Sequence, residues 1–235
     1  MFSAWVANAV PVAEYAVAQI VLANKGFFQG AIRTKTKGFK DSSEYCQSLR
    51  GNYGAKIGII GAGMIGTLII KMLKVYKLNV LVFDPFLDEK RARELGVTKS
   101  SLENIFRECE IISNHLANNN QTKYMLDYHL FDQMKDNATF INTGRGQQVV
   151  ESDLGKAMKE KSNRTALLDV TYPEPPENSH VFYSLENVIL TPHIAGSVND
   201  ELLRMGEYMY EEFIALIEDK PLKYEVSLKM LETMA

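Results

Sequence analysis

Residues 56–66 read KIGIIGAGMIG. The first half is an isoleucine-rich apolar run, the composition of a buried strand. It breaks into Gly61, Gly63 and Gly66, in G-x-G-x-x-G spacing, and an apolar stretch of helical pattern follows from Met64 to Tyr76. A strand that turns into a helix through three glycines has a mechanical reading. Gly61 permits a tight turn, Gly63 lets a pyrophosphate approach the backbone, and Gly66 lets helix and strand pack closely. The amides that open the helix, Met64 and Ile65 among them, then face the phosphates. The next apolar run, NVLVFD (79–84), ends on Asp84 and is followed by Pro85. A carboxylate at that strand end accepts from ribose hydroxyls and repels a 2′-phosphate, which favours NAD over NADP.

Outward from this point the chain alternates strands and helices. Further strands are expected at EIISNHL (110–116), ATFINT (138–143), TALLDV (165–170) and NVILTP (187–192). Helices are expected near 88–95, 102–107, 122–134, 152–161 and 198–217. Continuous apolar strands joined by helical crossovers make an α/β fold of the Rossmann type, a doubly wound parallel sheet with helices on both faces. A long apolar helix over 4–23 precedes it, interrupted by Asn8, Pro11, Glu14 and Gln19. Those interruptions argue against a membrane span, and no basic start marks a signal peptide. RTKTKGFK (33–40) reads as a solvated loop.

The bulk composition narrows the function. A net charge of −3 gives no general attraction to nucleic acid or to an anionic membrane. Two cysteines, Cys46 and Cys109, suggest no disulfide framework, so a reducing cytoplasm is expected. No cluster reads as a metal site.

Ligands of open parallel sheets bind beyond the carboxyl ends of the strands. There the sequence sets His115 in NHLA, Arg145 between Gly144 and Gly146, Asp169 in LLDV, Glu174 in YPEPPE and His193 in TPHIAGS. A guanidinium, a carboxylate–imidazole pair and a nicotinamide are the parts that reduce a 2-oxo acid. Arg145 would hold the substrate carboxylate with its planar fork. His193 would donate a proton to the carbonyl oxygen, and Glu174 would stabilise the charged imidazole. Asp169, nearer the nicotinamide, could hold its carboxamide.

LRGNYGAKIGIIGAGMIG, NTGRG, LLDVTYPEP and TPHIAGS, in this order, resemble the D-isomer-specific 2-hydroxyacid dehydrogenases across nearly the whole chain. The resemblance implies catalysis by Arg145, Glu174 and His193. It implies NAD contacts at Gly61, Gly63, Met64, Ile65, Gly66, Asp84, Pro85, His115, Leu116, Ala117, Thr122, Thr143, Gly144, Arg145, Asp169, His193, Ala195 and Gly196. ANAVPVAEYAVAQIVLA (7–23) is similar to the family's interdomain helix, and a homodimer formed through the cofactor domain is implied. The division expected is an interdomain helix over 1–30, the NAD-binding domain over 31–197, and a crossover helix with a remnant of the substrate domain over 198–235. Ala117 stands where the family usually has proline, and ANNNQT (117–122) replaces a more apolar turn. The family implies a substrate-domain segment ahead of that helix and this sequence opens almost at the helix, so the expectation is a chain that binds NAD but by itself turns over poorly, if at all. Two rivals remain. An NAD(H)-sensing module without turnover would resemble the C-terminal binding protein corepressors, and an S-adenosylmethionine-dependent transferase would use the glycine turn alone.

Overall fold

The computed structural model describes residues 1–231. In chain order the elements are α1 (Trp5–Asn24), α2 (Phe27–Thr36), α3 (Phe39–Ser48), β1 (Tyr53–Ile60), α4 (Met64–Leu73) and β2 (Lys77–Phe83). Then come α5 (Glu89–Leu95), β3 (Thr98–Lys99), α6 (Leu102–Glu108), β4 (Ile111–Asn114), α7 (Tyr128–Asp132) and β5 (Thr139–Asn142). The remainder is α8 (Glu151–Glu160), β6 (Thr165–Leu168), β7 (Val188–Leu190), α9 (Glu201–Ile217) and α10 (Leu228–Leu231). The sheet runs β3-β2-β1-β4-β5-β6-β7 and every pairing is parallel. Its strand order reverses between β1 and β4, which opens a crevice beyond their carboxyl ends.

The apolar runs are continuous because both faces of the sheet are buried. Adjacent residues of one strand enter different cores, as the two-residue pleat requires. Ile60, Ile112, Phe140 and Leu168 meet Phe106 and Phe131 on one face. Ile57, Ile59, Ile111, Ile141 and Leu167 meet α1, α4 and α5 on the other. Helix α1 is long and apolar enough to cross a bilayer, yet Ala13, Ala16 and Ile20 are buried in this second core. Beyond α9 the chain returns to the N-terminus, where Phe2 and Glu225 form an antiparallel bridge and Val226 N donates to Met1 O at 2.7 Å. The last part of the expected 198–235 segment, 232–235, lies outside the described residues.

The structure corrects several sequence expectations. The 33–40 stretch is not a loop: Arg33–Thr36 close α2, and α3 begins at Phe39 after Gly38 breaks the backbone at φ +91°. Lysine and arginine are good helix formers, and Arg33 pairs with Asp41 at 2.9 Å while lying over the Tyr45 ring. The helix expected over 122–134 shrinks to 128–132. Asp127 starts it by accepting from Leu130 N, and the carbonyls of Phe131, Asp132 and Met134 turn to the buried Arg164 guanidinium instead of continuing it. Strand β3, two polar residues at the sheet edge, carries no apolar signal and was not expected. The helix after β1 stops at Leu73 rather than Tyr76, so β2 starts earlier.

Candidate active site

The glycine turn is built as its spacing predicts. Gly61 adopts φ +96°, and a Cβ there would lie 2.9 Å from the His115 carbonyl. A Cβ on Gly66 would stand 1.9 Å from Gly61 O, so helix and strand touch where only hydrogen fits. A Cβ on Gly63 would meet nothing within 4 Å, and no side chain caps the α4 N-terminus that follows. Open space before uncapped helix amides suits a pyrophosphate. The Ala62 peptide is clamped at both ends. Asp84 Oδ2 accepts from its N–H at 2.7 Å, and Arg91 Nη2 donates to its carbonyl at 3.0 Å and to Thr67 Oγ1 at 3.1 Å. Asp84 Oδ1 accepts from Phe86 N. Two of the carboxylate's four lone-pair sites stay available to a ribose. Sequence reasoning missed Arg91.

A cavity of about 240 Å³, lined by Asp84, Pro85, Arg91 and Thr122, adjoins one of about 400 Å³ lined by Met64, Ile65, Thr143, Gly144 and Arg145. Gly63, His115, Leu116 and Ala117 line both, so the two form one crevice along the strand ends.

His115 is not the exposed crevice histidine that the sequence suggested. Strand β4 stops at Asn114, and the imidazole turns inward between Ser113 Oγ (2.8 Å, to Nε2) and Thr143 Oγ1 (3.1 Å, to Nδ1). Burial pushes its pKa down from 6.5 to about 3. The folded protein therefore holds this ring neutral where the unfolded chain would protonate it. Stability contributed by the neutral ring is present above about pH 6.5 and is lost as pH falls toward 3. The slope is about 1.4 kcal/mol per pH unit for one proton. Urea titrations across that window should show His115→Gln with the shallower acid limb. Equal slopes would mean the ring titrates normally.

A second unanticipated group fixes the crevice wall. Asn114 Nδ2 donates to Asn142 Oδ1 (3.0 Å) and to Gln148 Oε1 (2.7 Å). Gln148 Nε2 donates to the carbonyls of Leu116 and Ala117, both at 3.0 Å, and its Oε1 also accepts from Arg145 N. Thr122 Oγ1 donates to Ala117 O at 2.7 Å. The departure from the family at ANNNQT is thus held by amides and a hydroxyl. The signal was available: SN and IN end two adjacent strands in register, Asn114 opposite Asn142.

The remaining residues flank the end of β6. Asp169 is buried, and its carboxylate accepts from Thr191 Oγ1 (2.6 Å), Ile194 N (2.9 Å) and Ala195 N (2.9 Å). Its own carbonyl accepts from His193 N at 3.0 Å. This over-determination holds His193 at φ +54°, a left-handed conformation that a residue with a Cβ seldom adopts. His193 Nδ1 lies 2.6 Å from Glu174 Oε1, with the two side chains 46% and 42% exposed. Glu151 steadies the loop that carries Glu174, accepting from Tyr172 N at 2.9 Å and facing His180 Nε2 at 3.1 Å. Gly196 lies against Asn8, whose Oδ1 accepts from Ser197 N. His193, Glu174, Asp169 and Thr191 line a cleft of about 470 Å³. Arg145 is exposed on the other side of β6, with Nη1 donating to Gly144 O at 2.7 Å. The structure thus joins His193 to Glu174 and joins Arg145 to the cofactor crevice, but the 470 and 400 Å³ cavities share no lining residue. Among the described residues no group of three or more His, Cys, Asp or Glu could hold a metal ion.

Residues 17–195 match the profile of the D-isomer specific 2-hydroxyacid dehydrogenase NAD binding domain. The D-3-phosphoglycerate dehydrogenase of Archaeoglobus fulgidus is 29% identical over 96% of this chain. The putative 2-hydroxyacid dehydrogenase YoaD of Bacillus subtilis is 35% identical over 77% of it. The chain spans 42% and 55% of the lengths of these two proteins. Among solved structures, a phosphoglycerate oxidoreductase from Rhizobium etli superposes with a TM-score of 0.81, at 25% identity, over 94% of this chain and 71% of that one. The D-lactate dehydrogenase of Lactobacillus jensenii, solved with NAD+, gives 0.77 at 25% identity, over 93% and 69%. With the glycine turn, the parallel sheet and the strand-end residues all in place, the chain belongs to the D-isomer specific 2-hydroxyacid dehydrogenases and carries their NAD binding domain.

Proposed function

We propose that this chain serves an NAD-dependent oxidoreductase that interconverts a D-2-hydroxy acid and its 2-oxo acid. The observation that carries the reading is the 2.6 Å contact between His193 Nδ1 and Glu174 Oε1 at the end of a strand beside the dinucleotide crevice. An ionised carboxylate only accepts, so Nδ1 carries the hydrogen and Nε2 is left as the proton-exchanging atom. In the reducing direction His193 would give its Nε2 proton to the carbonyl oxygen of the substrate, while Glu174 holds the ring through its Nδ1–H. Arg145 would leave the Gly144 carbonyl to take the substrate carboxylate with both arms of its fork. Gly63 and the amides of Met64 and Ile65 would hold the pyrophosphate, and Asp84 the ribose. Asp169 has one acceptor site left on Oδ2, enough for one carboxamide N–H. Bound NADH supplies the hydride.

Relatives named for phosphoglycerate, glyoxylate and lactate share a 2-oxo or 2-hydroxy acid as their common chemistry, which supports that substrate class. The 1–30, 31–197 and 198–235 division, a cytoplasmic location and a homodimer complete the proposal. The His193–Glu174 pair is open to water, so NADH binding is expected with slow turnover or none. Fluorescence titration with NADH, challenged by S-adenosylmethionine, tests the binding half. Failure to bind NADH, or displacement by S-adenosylmethionine, would overturn it. One observation favours the NAD(H)-sensing reading instead: Arg145 and His193 open into separate cavities.

A further inference from the structure

The site turn carrying His193 is tied to a helix far away in sequence. Tyr15 OH on α1 lies 2.9 Å from Thr191 Oγ1, across 176 positions. The direction of that hydrogen bond follows from counting protons. Thr191 has one hydroxyl hydrogen, and Asp169 Oδ1, 2.6 Å away, can only accept it. Tyr15 must therefore be the donor to Thr191. Burial raises the Tyr15 pKa, which keeps the phenol protonated and able to donate. The chain then reads Tyr15 to Thr191 to Asp169, with Ile194 N and Ala195 N donating into the same carboxylate at 2.9 Å each. Bonds in such a series polarise one another, so losing the first weakens the second.

We infer that Tyr15 is a positioning residue: through Thr191 it sets the Asp169 carboxylate, and through Asp169 the backbone of the turn that presents His193. The catalytic consequence rests on the proposed oxidoreductase reading; the structural link does not. Tyr15 touches neither of the cavities that hold the reacting groups. Its contribution is to the geometry of residues that do.

The test uses ¹⁵N-labelled chain and single-turnover oxidation of NADH by a 2-oxo acid with protein in excess. Tyr15→Phe, which removes only the hydroxyl, should move the amide signals of Ile194 and Ala195 and the ring signals of His193. It should slow the single turnover about fivefold to tenfold, the scale of one lost hydrogen bond, while NADH affinity changes less than about twofold. Thr191→Val should give the same effects, and the double variant should be no worse than either alone, because both cut one path. Thr191→Ser keeps a hydroxyl and should behave like the unsubstituted protein. Additive effects of Tyr15→Phe and Thr191→Val would show that the tyrosine acts through ring packing and would overturn the inference. So would unmoved Ile194, Ala195 and His193 signals. If the unsubstituted protein shows no turnover, the oxidoreductase reading falls, and the spectra still decide the positioning role.

Discussion

Gly66→Ala is expected to abolish NADH binding and to cost the fold about 3 kcal/mol, whereas Gly63→Ala is expected to weaken binding at least about 100-fold while leaving stability within about 1 kcal/mol. The two glycines lie three residues apart and differ in what surrounds them. A methyl on Gly66 would stand 1.9 Å from Gly61 O, inside van der Waals contact with backbone that cannot rotate away. Relief needs α4 to move off β1, and that movement strips packing from Ile69 and Ile70, both buried in the second core. A methyl on Gly63 meets no protein atom within 4 Å, and its φ of −65° suits alanine. It would occupy the space in front of the α4 amides, where the pyrophosphate would lie. Alanine narrows the unfolded ensemble, worth about 0.4–1 kcal/mol, and is a poorer N-cap than glycine by a similar amount, so the two effects offset and stability should hardly change. Urea midpoints and NADH titrations on both variants separate the cases. Should Gly63→Ala bind NADH normally, the pyrophosphate does not approach this turn.

The same contrast explains what the sequence disclosed and what it hid. The glycine spacing works through backbone geometry, which is local, so 56–66 was readable: the strand, the turn and the helix are all present. Alternating apolar runs likewise placed six of the strands in one parallel sheet. The pairing of His193 with Glu174 was also anticipated, from a proline-rich loop and a strand end in the order this chemistry needs. Long-range pairing was hidden. His115 lines the crevice, but Ser113 and Thr143 take both of its ring nitrogens, which the sequence does not show. Gln148 gives no sign in the sequence that Asn114, Leu116 and Ala117, on one distant stretch, claim it together with the nearby Arg145 N–H. Asp169 was assigned to the cofactor, and most of its acceptor capacity goes to shaping the 191–195 turn. Arg33–Lys40 misled because charge was taken for a loop, whereas those side chains are helix formers with a solvated face.

His193→Gln is expected to slow single-turnover NADH oxidation by about a thousandfold, within the range usual for losing a general acid, and to change NADH affinity less than about twofold. Glutamine fills the position and can still contact Glu174, so the turn should persist, but its amide cannot deliver a proton near neutral pH. Glu174→Gln should slow the step less, by about a hundredfold: the imidazole survives, but the carboxylate that holds its Nδ1–H and fixes the ring is gone. The two groups act as a unit through one 2.6 Å contact. The double variant should therefore be no slower than His193→Gln alone, since a carboxylate placed to hold the imidazole does nothing once the imidazole is absent. Arg145→Lys should behave differently again. It keeps the positive charge but loses the planar pair of donors, so the 2-oxo acid should bind more weakly while the step, once the acid is bound, slows less than in His193→Gln. Rates indifferent to residue 193 would leave NADH binding without chemistry, and the NAD(H)-sensing reading would then account for the crevice.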